Sequence, residues 1–368
     1  MRIPQTATAN LRRRLALLLA AAALPSSGCF GAAYLGQAAG GQYAILHRAR
    51  ALKAAVRDRR IPERTRGLLM LVPAIKEFGR ANGLEPTRNY EHYTDLHRPA
   101  AVWVVQACAP LAFDVRRWHF PLVGSVPYLG FFDEGAARRK AQDLKAEEGL
   151  DVDVRTASAY STLGYLRDPV LSTMISSGED AAGDLANVIL HESVHATLYV
   201  PGQSTFDESL ASFVADRLTL EFLRRSYGAE AAQTRGWVAE QRRSDEHLSR
   251  LRRAYTELDR LYRSAEAADV KRARKAALLA ELQRELHLRR PLNNASLAGY
   301  RTYDSGAAEL ERLLAACQES WPRFFTALRA LSAADFDRPQ QESFASVIDR
   351  LAARGCPPLG QATSRTAH

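Results

Sequence analysis

The run LANVILHESVHATLY at positions 185–199 constrains this chain more than any other stretch. Ala186, Val188, Ile189, Leu190, Val194 and Leu198 predict a buried helix, yet His191, Glu192 and His195 are set into it. Residues four apart leave the same side of a helix one turn apart, so the two imidazoles can share one metal ion. Glu192 projects beside that face, where it can take a proton from a water activated at the metal without filling a coordination position. Polar side chains in so apolar a helix are costly unless something binds them. The spacing therefore points to metal-dependent hydrolysis with Glu192 as general base, and an ordinary buried helix is the plainer alternative.

Catalytic zinc takes three protein ligands and keeps one position open. Pro201-Gly202-Gln203-Ser204 reads as a turn, with Thr205 as N-cap of a second helix over residues 206–216. A helix doubling back after so short a loop brings its first turn to the end of the metal helix. Glu208 is the expected third ligand, because Ala211 and Ser212 let the two helices approach closely. Asp207, about 100° round the helix, is the rival and is otherwise expected in solvent, facing the helix dipole.

The run HESVHATLYVPGQSTFDESLASFVAD resembles the zinc aminopeptidases of Gram-negative bacteria, a lipoprotein-like group within the gluzincin metallopeptidases. FPLVGSVPYLGFFDE at 120–134 and LDVDVRTASAYSTLGYLRDPVLSTM at 150–174 fit the same family, as does PLNNASLAGYRTYDSG at 291–306 more weakly. The resemblance implies a small sheet above the metal helix whose edge holds an extended substrate, here Ala157 to Leu166. It also implies an oxyanion donor. Tyr165 and Tyr303 are the candidates, with Tyr160 and Tyr300 competing; each also reads as a packing aromatic. Many gluzincins place an acid four residues after the glutamate ligand, and Ser212 stands there, which leaves Asp184 or Asp216 to steady a histidine.

At the amino end, Arg12-Arg13-Arg14 precedes the apolar run Leu15–Leu24 and Pro25-Ser26-Ser27-Gly28-Cys29. This predicts an export signal over residues 1–28, too short for a stable membrane span. Cys29 looks like a lipobox cysteine, with Ser26 in place of the usual leucine, and Phe30 after it favours the outer membrane. The expected location is the periplasm, anchored by lipid. Loss of the four arginines of residues 1–28 takes the net charge from +9 to +5, too mild to argue for nucleic acid. After Cys29 only Cys108, Cys317 and Cys356 remain. At most one pair can bridge, and the absence of close spacing excludes a cysteine zinc cluster.

Residues 31–42 read as a glycine-rich tether, and 43–60 and 62–82 as helices. Strands are expected at 101–106, 118–123, 126–132 and 150–156, with a helix over 134–148 that Asp133 caps, or else Asp133 and Glu134 bind a substrate amine. Residues 229–287 predict two long antiparallel helices broken around 264–269, with His247 and His287 in solvent; helices follow at 306–317, 322–331 and 339–354. The fold class is α+β, mostly helical, zincin-like, with a small sheet above the HExxH helix and a helical C-terminal lobe. Residues 29–368 form one domain in three parts: helices and sheet at 29–179, metal helices at 180–226 and the helical lobe at 227–355. The expected activity is a peptide hydrolase with one Zn2+ on His191, His195 and Glu208, trimming peptides from the amino end. The alternatives are a metalloendopeptidase and a non-catalytic envelope lipoprotein with a structural metal or a partner-binding cleft. Glu192 argues against the last, since a structural site needs no base and prefers a fourth ligand.

Overall fold

Apolar side chains at helical spacing dominate this sequence, and the computed structural model is accordingly α+β and mostly helical. It describes residues 28–120, 124–159, 166–298, 306–341 and 343–356. In chain order, α1 (Gly28–His47) leads to the short β1 (Arg50–Ala51) and to α2 (Leu52–Arg57), α3 (Glu63–Leu69) and α4 (Val72–Ala81). Strands β2 (His92–Thr94), β3 (Val102–Cys108), β4 (Trp118–Phe120), β5 (Gly124–Val126) and β6 (Leu129–Phe131) follow, then α5 (Glu134–Glu148), β7 (Asp151–Ala157) and β8 (Val170–Leu171). The remainder is helical: α6 (Ala181–Thr197), α7 (Ser204–Tyr227), α8 (Ala232–Arg263), α9 (Ala268–Glu285), α10 (Asn294–Ala298), α11 (Ala307–Ala316), α12 (Trp321–Leu328) and α13 (Ala345–Arg354).

The helix expected over 43–60 is interrupted where Arg50 and Ala51 pair with Tyr93 and His92 as β1 and β2, and the one expected over 339–354 begins only at Ala345; two further departures have clear causes. Residues 31–42 are not a tether but part of α1. Alanine carries the helix, and side chains dock it: Tyr34 Oη accepts from Gly130 N at 2.9 Å, while Gln37 donates to Gly130 O at 3.0 Å and accepts from Phe132 N at 3.1 Å. These contacts cover the outer edge of β6. The helix expected over 62–82 is two, since Pro73 at the start of α4 disfavours a continuous turn before it. Elsewhere α5 spans Glu134–Glu148 with Asp133 as N-cap, its Oδ1 accepting from Ala136 N at 2.7 Å. The α8–α9 break falls at residues 264–267, and His247 and His287 are exposed.

The central sheet has the order β6-β3-β7, antiparallel throughout, with Val105 opposite both Leu129 and Val154. Trp103, Val105, Ala107, Leu129 and Val152 face α5 and form one core with it. The larger core gathers α4, α6, α7 and α11 to α13 around Leu185, Ile189, Leu190, Phe206, Leu210 and Phe324. A disulfide joins Cys317 to Cys356, settling a pairing that spacing left open, and Cys108 is free and buried. Among the described residues no helix is long and apolar enough to cross a membrane.

Candidate metal centre

α6 buries Leu185, Ala186, Ile189, Leu190 and Val194 and turns His191, Glu192 and His195 to its other side. After Thr197 the chain leaves helical geometry and reverses through Pro201-Gly202, where Gly202 adopts φ +81°. Gly202 is suited to that left-handed position. α7 then begins at Ser204 with Gln203 as N-cap residue, two residues earlier than the Thr205 cap that the sequence suggested. The reversal is tied from inside by Asp207, whose Oδ1 accepts from Val200 N at 2.9 Å, and from outside by Gln203, which bonds Arg338 O and Gln341 N.

Asp207 is therefore buried, 2% exposed, and not in solvent as its first-turn position suggested. Its carboxyl is pushed up to about 7, mainly by burial and further by the Glu208 charge, against the Val200 bond. Its neighbour turns the other way. Glu208 presents Oε2 to His191 Nε2 at 3.4 Å and Oε1 to His195 Nε2 at 3.6 Å, and the two imidazole nitrogens lie 3.2 Å apart. His195 is 5% exposed at its side chain and His191 20%, whereas Glu208 leaves 48% open to the cleft.

Three lone-pair donors face one another here, two nitrogens and a carboxylate. A tetrahedral ion with ligands at about 2.0–2.1 Å has ligand-to-ligand edges of roughly 3.3–3.4 Å, and the three observed edges straddle that value. The donor set is compatible with one divalent ion. Electrostatics give the same reading. Burial works against a charge on His191, but the Glu208 hydrogen bond and the charges of Glu208, Glu192 and Asp216 outweigh it and raise its pKa. Burial, with His191 beside it, pulls His195 down to about 4. Partial desolvation opposes a charge on Glu208, but both imidazoles and Arg155 together outweigh that cost and lower its pKa. His195 Nδ1 is buried with no hydrogen-bond partner among the described residues.

Of the two acids considered behind the histidines, Asp216 is the one whose charge reaches His191; it accepts from Asn187 Nδ2 at 2.8 Å. Asp184 instead lies near the start of α6, where burial raises its pKa and the neighbouring Ser176 works against that. Glu192 lies beside the donor trio, and its charge contributes to raising the pKa of the buried Tyr90 phenol. Sequence reading missed Tyr90 and Arg155. Tyr90 sits in a loop at φ +64° without periodic signal, and Arg155 is an ordinary strand cation until the sheet is placed. Tyr160, Tyr165, Tyr300, Tyr303 and most of the 157–166 edge lie outside the described residues, as do residues 1–27. Cys29 falls in the first turn of α1.

No curated protein matches the chain, and no solved structure does. The family model described as "Putative aminopeptidase" matches residues 33–343, a span that holds the donor trio, Glu192 and the sheet beside them. The chain therefore belongs to this aminopeptidase family, a family of peptide hydrolases.

Proposed function

We propose that the protein is a zinc aminopeptidase of the gluzincin type, with His191, His195 and Glu208 as metal ligands and Glu192 as general base. The observation that carries this reading is the set of 3.2, 3.4 and 3.6 Å edges among three donors contributed by two helices across one tight turn. Zinc in such a site supplies a Lewis acid and lowers the pKa of water towards about 7. The chain does the rest. Asp207 and Gln203 fix the reversal that sets Glu208 against the histidines, and the exposed side of Glu208 leaves room for a peptide carbonyl. Glu192, one residue from His191 on α6, accepts a proton from the attacking water and returns it to the leaving amine.

Glu192→Gln tests this directly. Metal content should stay at one ion per chain while hydrolysis of free-amine peptides falls by about 10²–10⁴. Retained activity would remove the base, and hydrolysis of N-acetylated peptides at equal rates would make the enzyme an endopeptidase. For Tyr165 and Tyr303 as oxyanion donors, the phenylalanine variants should lower kcat with little change in KM; unchanged kcat in both would exclude them. Export with lipid attachment at Cys29 and outer-membrane retention belongs to the same proposal. Fatty-acid labelling of cells should mark the wild-type chain and not Cys29→Ala, and equal labelling would defeat it.

A further inference from the structure

Among the described residues, the outward main chain of β7 passes from occupied to free along the strand. Ala101 N donates to Ala157 O at 2.8 Å, so the odd residues of β7 turn their main chain towards β3 and Val152, Val154 and Thr156 turn theirs outward. Two of these outward carbonyls are taken. Asn293 Nδ2 donates to Val152 O at 2.9 Å, and the Arg290 guanidinium donates to Val154 O. Arg290 is itself held by Asp153 at 3.5 Å. An extended chain pairing with β7 thus finds its first outward position free of partners, among the described residues, at Thr156. Between these, Arg155 sends its side chain to the sheet face opposite Val152 and Val154, which pack towards α5. Its charge reaches Glu208, and no acid lies within ion-pair distance of it among the described residues. A planar cation thus lies within electrostatic reach of Glu208 where the strand edge closes.

We propose that Arg155 and Arg290 make this end of the cleft a chain-end site: Arg290 blocks the strand edge at Val154, and Arg155 binds the free α-carboxylate of a short peptide. The preferred substrates are then peptides a few residues long with an unblocked carboxyl terminus. The proposal rests on the peptidase reading above. Guanidinium and carboxylate match in shape and form charge-assisted paired hydrogen bonds, which a carboxamide cannot replace.

The test compares tripeptide acids with the same tripeptide amides, and both with series lengthened at the carboxyl end, on the zinc-loaded enzyme. Acids should exceed amides by about tenfold or more in kcat/KM, chiefly through KM, and rates should fall as the carboxyl end grows. Arg155→Met should bring the acid-to-amide ratio close to one, Arg155→Lys should keep part of it, and Arg290→Ala should extend the tolerated length, with melting temperatures reporting that each variant folds. Calorimetric binding of the same acids and amides to Glu192→Gln reads the preference even where turnover is absent. An absence of all hydrolysis by wild type beside a clear binding preference would indict the peptidase reading alone. Equal treatment of acid and amide by wild type, or a length profile that Arg290→Ala leaves unmoved, overturns the chain-end site.

Discussion

Two polar clusters sit near opposite ends of β7, and they differ in one respect. At the Asp151 end, Lys275 Nζ meets Asp151 Oδ2 at 2.5 Å and Pro110 O at 2.8 Å, with both side chains mostly buried. Asn294 donates from its backbone to Asp151 at 2.8 Å and from its side chain to Ala109 O and Ala112 O, and it accepts from Tyr262 Oη at 2.8 Å. Every principal donor there meets an acceptor, and the cluster is complete in the chain's own atoms. At the Arg155 end, His191, His195 and Glu208 turn lone pairs on one another and leave His195 Nδ1 buried without a partner among the described residues. Satisfied buried networks hold a fold together, whereas an arrangement with a local deficit marks a place where something else binds.

The sharpest way to break this contrast is to delete one member of each cluster. His195→Ala should lose the metal and about 10³-fold or more in peptide hydrolysis, while the metal-free variant melts within about 1 kcal/mol of metal-free wild type. Metal analysis and thermal melts read both, and retained stoichiometric metal would sink the assignment. Lys275→Met should do the reverse. It strands Asp151 as a mostly buried charge and should cost about 3–5 kcal/mol of stability in urea titrations, with metal stoichiometry of the folded protein unchanged. A loss below about 1 kcal/mol would mean that this pair is no more than a surface ion pair.

Removing the ion from wild type should have a smaller effect. A ligand held at a hundred times its dissociation constant stabilises by about 2.7 kcal/mol, so a chelator should lower the melting temperature by several degrees. Chelation should leave Glu208→Gln almost unmoved. Equal shifts in both would place the stabilising ion elsewhere.

The meeting of the three donors was legible in the sequence and the scaffold half of the comparison was not. Four-residue spacing on a helix fixes the relation of His191 to His195, and the short Pro201–Gln203 turn fixes that of Glu208 to both, because local geometry alone decides them. Asp207 was misread because its partner, Val200 N, becomes visible only once the turn is built. The Lys275–Asp151 pair spans 124 residues, and nothing local to either announces it. The same holds for Arg155, whose meaning depends on which sheet face meets the metal helices, and for α1, whose glycines suggested a tether until Tyr34 and Gln37 were seen to cap β6. Non-local pairing is decided by topology, which periodicity does not encode.

The gentlest probe of the difference is Cys108, which lies in the complete cluster and need not be mutated to report on it. It is fully buried, and its thiol is pushed up to about 12, first by burial and then by the charges of Asp151 and Asp114. A thiol whose pKa is raised on folding favours the protonated native form. That contribution is whole below the unfolded thiol's pKa near 8.5 and is lost as pH climbs from there to about 12. Stability should therefore decline across that alkaline window, and Cys108→Ala should flatten the decline. At pH 8 the thiolate fraction is about 10³-fold below that of a free cysteine, so iodoacetamide should label Cys108 in the folded protein only through opening of this region. Addition of a chelator should leave that labelling rate nearly unchanged, because the donors of the ion lie on α6 and α7 while Cys108 lies on β3 opposite Asp151, whereas Lys275→Met should raise it by orders of magnitude. Fast labelling in wild type, or a chelator effect as large as that of Lys275→Met, would show that the two ends of β7 open together and that the contrast between them is not one of separate stability.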